Sequence, residues 1–169
     1  FVHFNTNKRS IALDLEDDAD RGTIKKLAAD ADVLVEDYAP GYLATVGLSY
    51  NDLCHVNPAL VMTSITPFGQ SGPHAHLQGN DLIVQAMSDW LFNVGDEGDQ
   101  PCSGPGDPSV HIGSVHGVLG TLFALYARRA AGVGQQVDVS LQEATIASSS
   151  ATPIGRFSAA TQVMRRFGS

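Results

Sequence analysis

Ser109–Leu125, with the sequence SVHIGSVHGVLGTLFAL, decides the fold of this chain of 169 residues. Apolar residues recur in it at steps of three and four, which predicts a long helix. Further apolar positions widen the stripe, so we expect a core helix that is buried all round. Gly113, Gly117 and Gly120 each lower its intrinsic stability by roughly 1 kcal/mol relative to Ala. Three glycines that each destabilise a helix indicate that its backbone packs closely against a neighbouring element or a ligand.

Composition is that of one globular domain. The chain is 43% hydrophobic and 17% charged, which disfavours a disordered chain. Its uninterrupted apolar runs are shorter than the roughly 20 residues that cross a bilayer, and its start has no signal-peptide pattern, so we expect no membrane partner. The net charge of −8 disfavours nucleic acid, because phosphates are bound by clustered Lys and Arg.

Cysteine and histidine spacing indicates neither a disulfide framework nor a metal site. Cys54 and Cys102 have no CxxC partner, so we expect a reducing, cytoplasmic location. His111 and His116 lie five residues apart, whereas a metal-binding pair on a helix prefers a spacing of four. The chain also starts abruptly in what resembles the middle of a domain, so we expect a fragment of a longer protein.

Strands alternate with helices along the chain, which predicts an α/β fold with a mainly parallel sheet. The run at 33–36 is short and β-branched, as in a strand that is buried on both faces. Serine-rich residues from 148 and a following proline predict a linker over 148–169, after a domain over 1–147. The predicted strands are 8–15, 33–36, 60–65 and 136–139, and the predicted helices are 19–31, 42–46, 81–93, 109–129 and 140–147. Ser49 with Asp52, and Ser140 with Glu143, predict helix N-terminal caps.

Four segments of the chain together carry a family resemblance. They are NKRSIALDL (7–15), ADVLVEDYAPG (31–41), FGQSGP (68–73) and GVGQQVDVS (132–140). In this order and at these intervals they resemble the family III CoA-transferases, which include formyl-CoA transferase, carnitine CoA-transferase and the α-methylacyl-CoA racemases. The resemblance implies an incomplete, Rossmann-like large domain, with flanking helices, of a protein that forms an interlocked homodimer when complete.

The resemblance also implies a reaction, the transfer of CoA between an acyl-CoA and a carboxylic acid, without a permanently bound cofactor. In that family an aspartate attacks the thioester and holds the acyl group and then CoA covalently. Counting back from Gly120 without a gap puts Val110 at the position of this aspartate, and valine cannot be a nucleophile. A slip of three residues makes Asp107 the candidate, although aspartate between glycine and proline is also a common turn former.

The residues expected to bind CoA follow from the same resemblance. The pair Asp37-Tyr38 matches an Asn-Phe pair near the adenine of CoA; Tyr38 keeps the aromatic face, whereas Asp37 would repel phosphate. Gly69 and Gln70 belong to a glycine-rich strand exit, which either cradles a phosphate or only shapes a turn. The complete set of expected CoA-binding residues is Asp37, Tyr38, Gly69, Gln70, Asn80 and Asp81.

Three functions stay open at this point. The first is a CoA-transferase domain, with an acyl-CoA and a carboxylic acid as its partners. The second is a non-catalytic structural half of a tandem or interlocked CoA-transferase, since the nucleophile is missing at Val110. The third is an α-methylacyl-CoA racemase. In the racemases the position of Asn80 is a histidine that acts as the base, and the following aspartate is matched by Asp81. Racemisation requires a proton acceptor at the α-carbon, so this substitution disfavours the third function.

Overall fold

A three-stranded parallel sheet forms the centre of the structure, a computed structural model that describes residues 3–91, 94–95 and 99–149. The strands lie in the order β1 (Val33–Glu36), β2 (Val61–Thr66) and β3 (Gln136–Ser140). In the register of the sheet, Val35 pairs with Thr63 and Thr63 with Val137. The predicted α/β class, the parallel sheet and these three strands are confirmed.

Among the described residues, six helices accompany the strands. They are α1 (Asp18–Asp30), α2 (Tyr42–Thr45), α3 (Tyr50–Cys54), α4 (Asp81–Met87), α5 (Pro108–Ala131) and α6 (Leu141–Ser148). The predicted caps are present: Ser49 and Asp52 form a reciprocal capping box on α3, and the Ser140 hydroxyl accepts a hydrogen bond from the Glu143 N–H. Helix α4 ends at Met87, short of the predicted end at residue 93, because Asp89 adopts a left-handed conformation just beyond it. Residues 92 and 93 of the predicted helix lie outside the described residues.

The strand predicted at 8–15 is wrong. Residues 8–14 have no regular secondary structure, and the Ile11 side chain is 62% exposed. Alternating apolar residues form a strand only where a neighbouring strand accepts their backbone hydrogen bonds. Within the described sheet, β1 is an edge strand and pairs with β2 alone. The segment instead leads into α1 through a local turn, in which the Asp14 carboxylate accepts the Glu16 N–H.

One face of the sheet is covered by α1 and α3. A buried apolar cluster lies there, and it consists of Ala28, Leu48, Leu53, Leu60 and Met62. Full burial of one leucine side chain contributes about 1.5–3 kcal/mol, so this cluster is a main source of stability. The other face carries α5. On that face Val35 is 62% exposed, so the expectation that β1 is buried on both sides is wrong.

Close packing of the glycine-marked helix on the sheet is confirmed. A Cβ atom on Gly117 would lie 2.9 Å from Ile65 Cδ1, and one on Gly120 would lie 2.7 Å from Val137 Cγ1. Such distances are shorter than van der Waals contact, so glycine at these positions lets the backbone of α5 approach β2 and β3 without displacing their side chains. The hydroxyl groups of Thr63 and Thr121 join the two elements at 2.6 Å.

The expectation that this helix is buried all round is wrong. The outer side of α5 consists of exposed apolar side chains: Val115, Val118, Leu119, Leu122, Phe123 and Tyr126. Phe123 is 72% exposed and Tyr126 is 75% exposed. Among the described residues α5 is also the one helix whose length and hydropathy suffice to cross a membrane. Its glycine-lined side is nevertheless packed on the sheet, as in a helix of a globular domain.

The predicted linker lies mostly outside the described residues. Ser148 is the last residue of α6, so the helix extends one residue beyond the predicted end at Ala147. Residues 150–169 are not among those that the structure describes, and the boundary of the domain at 147 stays a prediction.

Candidate functional site

A cavity of about 450 Å³ lies at the carboxyl end of the sheet, beside the first turn of α5. Its wall combines the ends of β1 and β2 with the starts of α5 and α6. The lining residues are Val35, Glu36, Asp37, Ile65, Pro67, Val110, Ser114 and Leu141. In open α/β sheets, ligands bind in crevices outside the carboxyl ends of the strands. The position of this cavity therefore makes it the candidate site.

Val110 lines the cavity from the first turn of α5. The position that the family resemblance assigns to the nucleophile thus faces the candidate site and carries an apolar isopropyl group. One turn further along, the Ser114 hydroxyl donates a hydrogen bond of 2.7 Å to the Val110 carbonyl oxygen. Because the Ser114 hydroxyl proton is donated within the helix, this hydroxyl is not directed at the cavity as a nucleophile.

Asp107 lies at the N-cap of α5 and is exposed to solvent. Its side chain makes no capping hydrogen bond, and the preceding Gly106 has φ of +71°. Asp107 is not one of the residues that line the cavity beside Val110. Its location fits the turn that the sequence suggested, and a catalytic role for it stays a prediction.

Two carboxylates follow one another at the end of β1 and line the cavity. Glu36 is only 8% exposed and accepts hydrogen bonds from the Tyr38 N–H at 2.8 Å and from Gln70 Nε2 at 3.4 Å. Asp37 is exposed, and its side chain takes part in none of the described hydrogen bonds. The two neighbours therefore differ in availability, since Glu36 is held by the fold and Asp37 is not.

Tyr38, the residue after Asp37, packs against Tyr42. Their ring centroids lie 5.3 Å apart with an interplanar angle of 31°. Desolvation, and then the negative charge of Glu16, raise the pKa of the Tyr42 hydroxyl, so the phenol is neutral at physiological pH. This aromatic pair is suited to contact a flat ring such as a purine.

The glycine-rich exit of β2 is tied to the sheet by its own hydrogen bonds. Gly69 has φ of +84°, and the N–H of Gln70 donates to both carboxylate oxygens of Asp138 at 3.0 Å. The Gln70 side chain reaches Glu36 on the neighbouring strand. Because Asp138 already takes the Gln70 N–H, this donor is not available to a phosphate, and the geometry favours the turn interpretation.

Asn80 and Asp81 position helices. The Asn80 side chain caps α4 by accepting the Ile83 N–H at 2.9 Å. The Asp81 carboxylate accepts the Ser109 N–H at 2.9 Å, and it also bonds the Ser109 hydroxyl and the Gln85 amide. Both oxygens of Asp81 are therefore used, and the residue fixes the first turn of α5 beside the cavity.

The network of Asp81, Gln85 and Ser109 is absent from the sequence-based prediction. The contact between Asp81 and Gln85 could have been predicted, because the two residues are four positions apart on one helix and share a face. The contact between Asp81 and Ser109 joins residues 28 positions apart, so it depends on the tertiary fold. Within the described part of the chain, no group of three or more His, Cys, Asp or Glu side chains is arranged to hold a metal ion.

Known proteins similar to this chain point to one family. The model of CoA-transferase family III matches residues 1–169. The succinyl-CoA:(R)-benzylsuccinate CoA-transferase subunit BbsE of Thauera aromatica is 40% identical over 144 residues, which are 85% of this chain and 35% of that protein. The acetyl-CoA:oxalate CoA-transferase of Acetobacter aceti is 39% identical over 149 residues, which are 87% of this chain and 38% of that protein.

Solved structures agree with these relatives. A CAIB/BAIF family protein from Brucella suis superposes with a TM-score of 0.93 at 29% identity, over 97% of this chain and 43% of that one. The D175A mutant of Rv3272 from Mycobacterium tuberculosis superposes with a TM-score of 0.84 at 26% identity, over 91% of this chain and 43% of that one. The chain spans less than half the length of the relatives that it matches.

Proposed function

Because this chain belongs to CoA-transferase family III, we propose that it takes part in the transfer of CoA between an acyl-CoA and a carboxylic acid. The single observation that carries this proposal is the cavity of about 450 Å³ at the carboxyl end of the sheet, which contains the position expected for the reacting group. The names of the relatives support the reaction class, since they describe exchange of CoA between succinyl-CoA and benzylsuccinate, and between acetyl-CoA and oxalate.

In this proposal the chain contributes part of an acyl-CoA site. The reactive thioester lies in the cavity between the end of β1 and the first turn of α5, and the adenine lies against the exposed ring of Tyr38. Asp37 is an unfavourable neighbour for phosphate groups, so we expect the pyrophosphate of CoA to lie away from its carboxylate. The free thiols of Cys54 and Cys102 support a location in the reducing cytoplasm.

A second candidate function is the structural half of an interlocked homodimer. It is favoured by Val110, which offers no nucleophile, and by the outer side of α5, where six large apolar side chains are exposed. Monomeric soluble proteins seldom expose apolar patches larger than a few hundred Å², so a surface of this kind marks a contact with further protein. In this candidate the chain binds acyl-CoA weakly or not at all, and it completes the site of a partner.

Binding of CoA thioesters tests the leading proposal. Isothermal titration of succinyl-CoA and of free CoA into the wild-type chain is expected to give saturable binding. Ser114→Trp places an indole in the cavity and should weaken that binding at least about tenfold, since it removes the volume the thioester needs. Val115→Trp is the matched control, because the neighbouring side chain points to the outer side of α5.

Two results would contradict the leading proposal. One is the absence of saturable binding by the folded wild-type chain, which would favour the structural half. The other is equal binding by the two tryptophan variants, which would move the site away from this cavity.

A further inference from the structure

One segment of the chain has the sequence pattern of a strand and no neighbouring strand. Ile11 and Leu13 alternate in it with the small residues Ser10 and Ala12. Within the part of the chain that the structure describes, the backbone groups of residues 9–13 take part in no hydrogen bond, and the Ile11 side chain is 62% exposed. Burial of such an apolar side chain lowers the free energy, and the backbone groups beside it are available to a strand edge.

Strand β1 has an open edge among the described residues, on the side away from β2. The Asp32 carbonyl oxygen accepts the Val61 N–H, and backbone groups alternate in direction along a strand. The N–H and C=O groups of Val33 and Val35 therefore point to the open edge. At this edge the Val35 side chain is 62% exposed, and it lines a cavity of about 320 Å³ between the sheet and α5. An edge of this kind is a template for a further strand.

The open edge and the unpaired segment are not suited to meet within one chain. Helix α1 connects residues 8–15 to β1, and neighbouring strands that are connected through one helix are parallel. A parallel pairing would bring Asp14, at the end of the segment, to Glu36 and Asp37, at the end of β1. Like charges on opposite strands destabilise a pairing. An antiparallel pairing avoids this repulsion, and it requires the segment of another molecule.

We propose that residues 9–13 of a second copy of this chain add to the open edge of β1 as an antiparallel strand. Ile11 of the second copy lies opposite Val35, and the two residues exchange a pair of backbone hydrogen bonds. Directly opposite residues share one face of a sheet, so the Ile11 side chain covers the exposed Val35 beside the apolar cavity. The same register places Leu13 of the second copy opposite Val33, on the same face.

Charge at the ends of the two strands favours this register. Arg9 of the second copy lies opposite the exposed Asp37, so a cation meets a carboxylate. The bond from the Asp14 N–H to the Asp20 carboxylate, just beyond the paired residues, stays intact. Because each copy gives its segment and receives the segment of the other, the assembly closes as a dimer. This contact lies at the edge of the sheet, apart from the outer side of α5, and it does not depend on the proposed transfer of CoA.

Proline substitution tests the strand pairing. In the proposed register the Ile11 N–H points to β1 of the second copy, whereas the Ala12 N–H points to solvent. Proline lacks this N–H and is tolerated in an edge strand only where the group would face solvent. We expect the wild-type chain to dimerise reversibly in sedimentation velocity at micromolar concentration. Ile11→Pro should raise the dissociation constant at least about tenfold, and the matched control Ala12→Pro should change it less than about threefold. Both residues are exposed, so circular dichroism should show the same fold in all three chains.

Charge exchange tests the register. Arg9→Glu and Asp37→Arg should each raise the dissociation constant at least about fivefold, because each substitution places like charges opposite one another. The double variant restores a pair of opposite charges, so its dissociation constant should return to within about threefold of the wild-type value. Failure of the double variant to recover would overturn the antiparallel register.

Three further results would overturn the proposal. The first is a folded wild-type chain that stays monomeric at millimolar concentration. The second is an equal loss of dimer in Ile11→Pro and Ala12→Pro. The third is a dimer that Phe123→Gln dissociates and Ile11→Pro does not, which would assign the contact to the outer side of α5.

Discussion

Helix α5 has two sides that differ in residue size and in what covers them. The inner side carries Gly113, Gly117, Gly120 and Ala124, and it packs on the sheet and on α6. The outer side carries large apolar residues such as Phe123, and these are exposed. The difference shows that the packed side of this helix is marked by its smallest residues, because close approach to a sheet requires the absence of a side chain.

The largest loss of stability is expected from a substitution on the inner side of α5. Gly117→Leu introduces a side chain where even a Cβ atom would lie 2.9 Å from Ile65 Cδ1. Overpacking costs up to about 3 kcal/mol and the gain in helix propensity returns about 1 kcal/mol, so we expect the free energy of unfolding to fall by roughly 2 kcal/mol. Urea unfolding followed by circular dichroism measures this change.

Val118→Leu, one residue further along α5, is the matched control on the outer side. Val118 is exposed, so the same assay should show a change within about 0.5 kcal/mol. Equal losses in Gly117→Leu and Val118→Leu would contradict the assignment of the two sides.

Local signals explain why most of the fold was predictable. The strands at β1, β2 and β3 are short β-branched runs between turns, and the caps at Ser49 and Ser140 bond residues three positions away. Residues 8–15 show the limit of such signals, because their alternation matches a strand but needs a neighbour. The exposure of the outer side of α5 shows the same limit, since periodicity reports that a face is apolar and not what covers it.

The candidate site was predictable only where it follows from counting along α5. The interval to Gly120 placed Val110 at the position of the missing nucleophile, and the structure puts Val110 in the cavity wall. Asp37 and Val110 line the same cavity because of the way β1, β2 and α5 pack together, so their proximity cannot be predicted from residues adjacent in the sequence. The use of Asp81 as a support for Ser109 likewise arises from tertiary contact.

A smaller change in stability is expected at two threonines of β2, only one of which bonds α5. Thr63 and Thr66 are each 1% exposed, but Thr63 bonds Thr121 on the inner side of α5, whereas the Thr66 hydroxyl is buried without a hydrogen-bond partner among the described residues. Thr63→Val should destabilise the fold by about 1 kcal/mol through loss of that bond. Thr66→Val should be neutral or stabilising, because it removes an unsatisfied polar atom. Equal destabilisation in urea unfolding would show that the hydroxyl bond to α5 is not what distinguishes the two positions.

The smallest effect on stability is expected on the outer side. Phe123→Gln replaces a ring that is 72% exposed, so the free energy of unfolding at low protein concentration should change by less than about 0.5 kcal/mol. Leu27→Gln on α1, on the opposite face of the sheet, is the control, and it should be similarly mild because Leu27 is also exposed. The two variants should separate in sedimentation velocity: if the outer side of α5 contacts a second copy, Phe123→Gln shifts the chain toward the monomer and Leu27→Gln does not. A loss of more than about 1 kcal/mol in Phe123→Gln would mean that the ring is packed within one chain, and the contrast between the two sides would then be one of residue size rather than of burial.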